Sequence, residues 1–493
     1  MAQTAHIPAF GQGLLETSAP LEARVLAGRG RGCVTTGAFR RGDTIAADKP
    51  MAAVHLGSSE KRVQACAHCF RYLGTLQSQF QQLAGRADPS SATSSRDAPP
   101  YILPGLASSA DGHLSRVHPC RNGCGDKYCT AGCEAAGFAG QHRLLCPAGS
   151  GRSAAAREAL LELRALAHSD CEAFMLAAKL MAAAFSAKDI AAQRRLESQM
   201  HMLGVTAPWW ELVVIPEDVP ARKHAAYRSK LKAKAQQALS LTAAVLEPAA
   251  PPHLRYMMAL DHFGLLLGAI LQNSVCIELP SPVRQYLEAQ LGRDQPEDIA
   301  LLVPLAREVL QHHARLQQEE EDAEGISLDG DSGESEASSS EEGSSGAGGS
   351  EPGMPPDAPS SGTLSNDKAV DLLAAAIAVI PDVEASGVFP LISFLNHSCQ
   401  ANASIEFSGQ DGLHAEIVAT GDVASGDELY ISYIDDDEMD LQERTQELRE
   451  YQFVCDCQRC CQDRAPQPST RKGKNAMGEL PPAKRAKQGK LES

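Results

Sequence analysis

Cysteine and histidine residues occur in this sequence at spacings suited to binding metal ions. Between residues 66 and 146 four close pairs follow one another, with two or three residues inside each pair: Cys66 and Cys69, Cys120 and Cys124, Cys129 and Cys133, and His142 and Cys146. Zinc in structural sites takes four such ligands in a tetrahedron, so eight ligands predict two ions. A unit of this size has little apolar core, and each zinc can contribute on the order of 10 kcal/mol to its folding.

A second group of thiols lies near the end of the sequence. Cys399 closes the motif FLNHSC, and Cys455, Cys457 and Cys460 follow in a C-x-C-x-x-C spacing. Four thiols again suit one tetrahedral metal. Between them lies GDELYISYID, so polar residues and metal ligands share the segment from Leu395 to Cys461.

The remaining cysteines and nearby histidines have no ligand spacing. We expect Cys33, Cys171, Cys276 and Cys461 to be small apolar residues. His68 and His118 are expected to be surface histidines: each is a single residue outside the pairs.

The sequence favours an intracellular protein. The N-terminus lacks a signal peptide, and the longest clearly apolar run, Leu372 to Ile380, is far shorter than the roughly 20 residues that span a membrane. We therefore expect no membrane association. Fifteen cysteines in such a protein would be reduced, which favours zinc over disulfides.

The elements that must position these residues include both strands and helices. The 493 residues are 43% apolar, enough to bury a core. Short β-favouring pieces with glycines, such as Gly30-Arg31-Gly32, predict an opening sheet between Leu21 and Val54. Alanine- and leucine-rich segments with three- and four-residue spacing predict helices from about 154 to 316. After Val388, alternating segments predict antiparallel strands, followed by a helix through LQERTQELREY, so the fold class is α+β.

Two polar segments are expected to be disordered. Residues 317–366 are rich in Glu, Ser, Gly and Pro, with twelve acidic and no basic residues from Glu319 to Glu351. Of the net charge of −17, about −5 therefore belongs to the rest of the chain. The acidic run could attract a basic substrate or act as a plain linker. The basic tail, 464–493, has the spacing of a bipartite nuclear import signal but could equally be a solvated tail. It lacks interleaved aromatics, so we expect no specific nucleic-acid binding.

The order of these motifs resembles the SET-and-MYND (SMYD-type) protein-lysine methyltransferases, closest to the divergent branch that lacks a C-terminal helical-repeat domain. The resemblance implies a β-rich SET fold split by a MYND zinc finger and a helical insertion, with a post-SET zinc site. It divides the chain into the N-terminal SET part (21–60), the MYND finger (66–146), the helical insertion (150–316), the acidic insert (317–366), the SET core (368–445), the post-SET segment (446–463) and the tail (464–493). In the MYND arrangement the pairs interleave, so Cys66, Cys69, Cys129 and Cys133 would share one zinc and Cys120, Cys124, His142 and Cys146 the other.

The resemblance also assigns roles in the site. Tyr433 matches the SET tyrosine that orients the substrate amine, and it is the expected catalytic residue. The cofactor, S-adenosylmethionine, is expected to contact the residues that match the family's binding motifs: Gly30, Arg31, Gly32, Asn273, Asn396, His397, Tyr433 and Phe453. Tyr430, three residues before Tyr433, is expected to pack on the opposite face of its strand.

Two functions follow from the resemblance. The first is an S-adenosylmethionine-dependent lysine N-methyltransferase with three structural zincs, acting on histones or on other basic proteins such as ribosomal ones. The second is an inactive chromatin or transcription adaptor whose MYND finger recruits proline-rich partners. The intact Asn396, His397 and Tyr433 favour the enzyme. Either function would place the protein in the nucleus and cytoplasm.

Overall fold

The computed structural model describes residues 19–26, 28–86, 101–106, 112–293, 295–328, 365–408, 412–435 and 438–465, without the side chains of 58 and 320–328. The strands are β1 Leu21–Leu26, β2 Gly30–Thr35, β3 Thr44–Asp48, β4 Ala52–His55, β5 Gly74–Thr75, β6 His113–Ser115, β7 His118–Pro119, β8 Lys127–Tyr128, β9 Ser274–Leu279, β10 Val383–Val388, β11 Asn396–His397, β12 Ala403–Phe407, β13 Ala415–Ala419 and β14 Tyr430–Ile431. The basic tail from 466 and the Ser/Ala/Pro-rich stretch from 88 to 100 lie outside the described residues.

The helices are α1 Gly57–Glu60, α2 Leu76–Leu83, α3 Ala131–Gly137, α4 Arg143–Leu145, α5 Ala154–Ser169, α6 Ala173–Ser186, α7 Ile190–Met202, α8 Trp209–Leu212, α9 His224–Leu246, α10 Leu260–Asn273, α11 Pro282–Arg293, α12 Pro296–Leu328, α13 Asn366–Val379, α14 Leu441–Glu447 and α15 Gln458–Arg464. Short 3-10 turns span Ala221–Lys223, Glu247–Ala249, Pro252–Met258, Ile392–Phe394 and Leu448–Tyr451, and a π turn spans Phe138–His142. The mixed helix and sheet content agrees with the predicted class.

Small sheets built from distant parts of the chain form the core around the site. Strands β4, β10 and β9 make one antiparallel sheet, β12, β13 and β3 make another, and β1 pairs with β2. In β13 the residues Ala415, Ile417 and Ala419 are buried and alternate with half-buried ones, as the sequence pattern predicts. They pack with Phe389 and Leu429 in one apolar cluster.

A short parallel pairing joins two segments that are about thirty residues apart. Asn396 of β11 lies opposite Tyr430 of β14, and His397 lies opposite Ile431. The pairing brings the NHSC motif alongside the GDELYISYID motif. Tyr433 comes two residues after the end of β14.

The cysteine-rich unit, 66–146, has one buried cluster that consists mainly of cysteines, and it contributes Phe70 and Phe80 to neighbouring apolar clusters. Its buried cluster consists of Cys66, Leu73, Cys120, Tyr128, Cys129 and Cys146. The Thr130 side chain caps the first turn of α3 by accepting a hydrogen bond from the Cys133 backbone. Metal bound by these ligands would stabilise this cluster, which buries little other apolar surface.

The helical insertion packs around α6, which has ten buried residues out of fourteen. Two secondary-structure predictions are wrong. The insertion over 150–316 is predicted to be helical, but Ser274–Leu279 is strand β9, paired with β10. The acidic segment is predicted to be disordered from 317, but α12 continues to Leu328. Residues 329–364 lie outside the described part of the chain.

Among the described residues, no single helix is long and apolar enough to cross a membrane. The segments Pro252–Met258 and Leu260–Asn273 reach that length and composition only as a pair, with a bend of 75° between them.

Candidate active site and metal centres

Three clusters of metal-ligating side chains have the composition and interleaved pairing that the sequence predicts. The first cluster is Cys66, Cys69, Cys129 and Cys133, the second is Cys120, Cys124, His142 and Cys146, and the third is Cys399, Cys455, Cys457 and Cys460. Within each cluster the ligand atoms lie within 4.8 Å of one another.

The distances between ligand atoms suit zinc. A tetrahedron with zinc–sulfur bonds of about 2.3 Å has sulfur–sulfur edges of about 3.8 Å. In the third cluster the Cys399 sulfur lies 3.9 Å from that of Cys455 and 3.5 Å from that of Cys460. In the second cluster the sulfurs of Cys120 and Cys146 are 3.9 Å apart. Thiolates in this geometry could hold zinc without rearrangement.

The histidine of the second cluster is oriented by a carboxylate. His142 Nε2 lies 3.2 Å from the Cys120 sulfur and 3.4 Å from that of Cys124, so Nε2 faces the metal position. Its Nδ1 lies 3.3 Å from an oxygen of Asp126. A carboxylate behind a ligating histidine fixes the ring and the tautomer, which supports a structural zinc here.

A buried arginine accompanies the third cluster. Arg444 of α14 is only 1% exposed. Its guanidinium donates to the Met439 carbonyl at 2.7 Å, lies 3.8 Å from the Cys460 sulfur and pairs with Asp463. Four thiolates on one Zn²⁺ carry two excess negative charges, and this cation offsets part of them.

The burial of the cysteines and histidines outside the clusters agrees only in part with the prediction. Cys33 is buried and Cys171 half-buried, but Cys276 and Cys461 are exposed, so their prediction as apolar packing residues is wrong. Cys276 lies on the outer face of β9, where the alternating pattern points every second side chain outward. His68 is exposed as predicted, whereas His118 is half-buried.

His397 connects the third cluster to Tyr433. The backbone N–H of Tyr433 donates to His397 Nδ1 at 3.1 Å. Because Nδ1 accepts, Nε2 carries the proton and donates to the Cys399 sulfur at 3.3 Å. Both ring nitrogens are therefore engaged within the protein, so the predicted cofactor contact of His397 would involve its backbone.

Tyr433 is enclosed by backbone and aromatic rings. Its hydroxyl donates to the Leu395 carbonyl at 2.6 Å. Its ring centroid lies 5.3 Å from that of His397, 4.8 Å from Tyr451 and 6.3 Å from Phe453. Burial raises the pKa of this hydroxyl far above its usual range, so it stays neutral near pH 7.

Asn396 lies against the glycine loop, so two of the segments predicted to contact the cofactor are neighbours. Its side-chain amide donates to the Arg31 carbonyl at 2.7 Å and to a carboxylate oxygen of Glu428 at 2.8 Å. A Cβ at Gly32 would lie 2.2 Å from the Leu26 side chain and 3.0 Å from the Asn396 amide. Only glycine at this position lets β2 approach Asn396 so closely.

Arg31 brings the predicted Asn273 into the site. The Arg31 guanidinium lies 3.4 Å from the Asn273 side-chain oxygen and 5.0 Å from the Phe394 ring centroid. The Asn273 amide donates to the carbonyls of Gly204 and Ala269 at 3.0 and 2.7 Å. Arg31 Nη1 is buried with no hydrogen-bond partner, and burial lowers the pKa of the guanidinium. An orphaned cationic donor beside Tyr433 fits an anionic group such as the carboxylate of S-adenosylmethionine.

Sequence reasoning missed four residues of this site. Glu428 accepts from both Asn396 and the Tyr430 hydroxyl, the latter at 2.5 Å. Tyr430 is therefore part of the site wall and not simply packing, and the Arg29 guanidinium lies 5.2 Å from its ring centroid. Tyr451 stacks on Tyr433. A carboxylate directly before the apolar residues Leu429 to Ile431 could have indicated Glu428, but no local pattern indicates the others.

Comparison with known proteins gives both a family and relatives. A model of the SET domain matches residues 30–434. "Histone-lysine N-methyltransferase ATXR2" of Arabidopsis thaliana is 23% identical over 490 residues, covering 88% of this chain and 88% of the relative. "Protein-lysine N-trimethyltransferase SMYD5" of Homo sapiens is 26% identical over 452 residues, covering 88% and 85%.

A third relative matches a shorter part more closely. "Histone-lysine N-methyltransferase SMYD3" of Homo sapiens is 47% identical over 75 residues, 15% of this chain and 17% of the relative. The resemblance to SMYD-type proteins inferred from the motifs is thereby confirmed. Because the SET domain match spans most of the sequence, the chain belongs to the SET domain family.

Proposed function

We propose that this chain, a lysine N-methyltransferase by its family and its relatives, uses S-adenosylmethionine and orients the substrate amine with Tyr433. The observation that carries this proposal is the enclosed Tyr433 hydroxyl beside the orphaned Arg31 donor. When bound, S-adenosylmethionine supplies an electrophilic methyl group.

The residues around Tyr433 would prepare the amine for transfer. A lysine amine is mostly protonated at pH 7, and making it neutral costs roughly 4 to 5 kcal/mol. Rings of Tyr433, Tyr451 and Phe453 would exclude water and so favour the neutral form. Because the Tyr433 hydroxyl donates to the Leu395 carbonyl, its oxygen can accept a hydrogen bond from the amine and aim the nitrogen lone pair.

The chain offers a complementary set of groups for the cofactor. Arg31 would pair with the cofactor carboxylate through its orphaned Nη1. Both N–H bonds of the Asn396 side chain are used by Arg31 and Glu428, so its oxygen is the atom that would accept from the cofactor. Gly30, with a φ of +73°, and Gly32 would let the β2 backbone approach it. Phe453, 38% exposed, would cover it from the solvent side.

Substrate and location follow from the same proposal. The relatives' names include histone-lysine and protein-lysine methyltransferases, so we propose a basic protein substrate in the nucleus or cytoplasm. Three zincs would support the fold. Proline-rich partners of the cysteine-rich unit remain a secondary proposal.

The proposal is tested by methyl transfer to a panel of basic proteins with radiolabelled cofactor. Tyr433→Phe removes one oxygen and should lower kcat about 10- to 100-fold, with cofactor binding changed little. Tyr227→Phe, on α9 and outside the site, is the matched control and should retain full activity. Equal activity of wild type and Tyr433→Phe would refute the role of Tyr433, and no labelling of any protein would favour the adaptor function.

A further inference from the structure

Helix α6 presents one accessible stripe inside an otherwise buried helix. Glu172 at its N-cap, Met175 and Lys179 follow one another at spacings of three and four residues and are half-buried, whereas Ala177, Ala178 and Leu180 are buried. The stripe keeps accessible surface because it faces a cavity of about 550 Å³. That volume is in the range of small-molecule sites in proteins.

Three parts of the molecule form the walls of this cavity. Val54 and His55 of β4 contribute one side, Phe70 and Tyr128 of the cysteine-rich unit a second, and α5 and α6 a third. His55 stacks on Phe70 with ring centroids 5.6 Å apart. The cavity contains none of the residues of the proposed methyl-transfer site, but Cys66 and His142 of the first two metal clusters lie in its wall.

Lys179 places an ammonium group in the cavity without a paired carboxylate among the described residues. Its ammonium donates to the Ala53 carbonyl at 2.6 Å, which uses one of three donors. Among the described residues no carboxylate lies within 4.0 Å of this ammonium. The nearby Asp126 lies 3.3 Å from His142 Nδ1 and 3.9 Å from the Arg164 guanidinium, so it is engaged elsewhere. Burial lowers the pKa of Lys179 to about 8, which reflects the cost of holding its charge away from water.

The other charged side chains around the cavity offset this cost only in part, because Asp126 and Glu60 raise the pKa of Lys179 whereas Arg164 lowers it. Glu60 and Lys61 are exposed at its rim, and Arg164 donates to the Leu145 carbonyl at 3.3 Å. Glu172 lies two helical turns before Lys179. The lining therefore combines apolar and aromatic side chains with polar and charged ones, and the Lys179 ammonium has donors to spare.

We propose that this cavity is a binding site for a small anion with an apolar body, such as an aromatic carboxylate, sulfonate or phosphate. The anionic group would pair with Lys179, and the apolar body would pack on Phe70, Tyr128 and Met175. An anion here offsets the desolvated charge, and the walls bury apolar surface. Because the walls come from three units, the ligand would also hold the cysteine-rich unit against α6 and β4.

Two dyes that differ in one group test the proposal on the full-length zinc-loaded protein. The probe is 1-anilinonaphthalene-8-sulfonate, and N-phenyl-1-naphthylamine is the same molecule without the sulfonate. Fluorescence titration should give a Kd at least about tenfold lower for the sulfonate, as a charge-assisted hydrogen bond would produce. Equal affinity of the two dyes would overturn the proposal, and this comparison needs no variant.

Two variants then locate the site. Lys179→Met should weaken the sulfonate dye about tenfold or more and leave the neutral dye within about threefold, whereas Lys230→Met, on the exposed face of α9, should change neither. Met175→Phe keeps the charge but fills space and should weaken both dyes. Unchanged sulfonate binding in both Lys179→Met and Met175→Phe would place the dye elsewhere and refute the site.

Discussion

Glu428 shows how one side chain sets the orientation of another. Its carboxylate accepts from the Asn396 amide through one oxygen and from the Tyr430 hydroxyl through the other. Its backbone carbonyl accepts from the Asn402 side chain at 2.9 Å. An Asn amide can turn over at little cost, so the Glu428 carboxylate and the Arg31 carbonyl, which accept both N–H bonds, together fix the orientation of the Asn396 amide. We assign Glu428 as a positioning residue.

Glu428→Ala should therefore impair cofactor use more than amine chemistry. We expect the KM for S-adenosylmethionine to rise about tenfold while kcat at saturation changes less than about threefold, as for loss of a binding contact. Zinc content should not change. The control is Glu406→Ala, an exposed carboxylate on β12. A fall in kcat with an unchanged KM would contradict the positioning role.

At the scale of elements, the β12–β13 hairpin packs closely against the cysteine-rich unit. Gly412, just before β13, has a φ of +68°, and a Cβ there would lie 2.8 Å from the Cβ of Cys69 and 3.4 Å from its sulfur. Cys69 belongs to the first cluster. The hairpin and this cluster are therefore in direct contact, and the shape of one limits the other.

Gly412→Ala should loosen the first cluster. The substitution adds backbone strain of about 1 kcal/mol and a close contact with Cys69, so zinc should be lost to a chelator several times faster than from the wild type. Gly426→Ala has a similar positive φ of +95° but open space around it. This control should lose comparable stability and release zinc at the wild-type rate. Equal release rates in the two variants would show that the contact does not matter.

At the scale of the whole molecule, the third cluster is linked by hydrogen bonds to the site around Tyr433. Cys399 is joined to Tyr433 through His397, with hydrogen bonds of 3.3 and 3.1 Å. The same cluster anchors the segment that carries Tyr451 and Phe453. Zinc at this position would therefore join chain segments that are more than fifty residues apart.

Cys399→Ser should remove one zinc and most of the activity. Metal analysis should fall from about three zincs per chain to about two, and methyl transfer should fall at least about tenfold, because His397 and Tyr433 lose their support. Cys461→Ser changes an exposed thiol next to the ligand Cys460 and should alter neither quantity. If Cys399→Ser bound two zincs and kept full activity, the third cluster would not be needed to support the site.

The sequence was informative where the signal was local and poor where it depended on distant neighbours. Ligand spacing and the family's interleaving anticipated all three clusters, because each pair lies in one turn or loop. Strand β9 was missed because its partner β10 lies about a hundred residues later. The continuation of α12 was missed because Glu, Gln and Ala favour helices even where acidic composition indicates disorder. The engagement of both His397 nitrogens depends on contacts that no spacing reveals.

The pairing of β9 with β10 also holds together the two ends of the segment that lies between these strands, here called the excursion. Leu279 lies opposite Val383, so the chain leaves the sheet and returns to it at the same place. Loop-closure entropy grows slowly with length, by about 0.6 kcal/mol for each doubling. A change of chain length within this excursion should therefore cost little in closure entropy and leave the pairing of β9 with β10 in place.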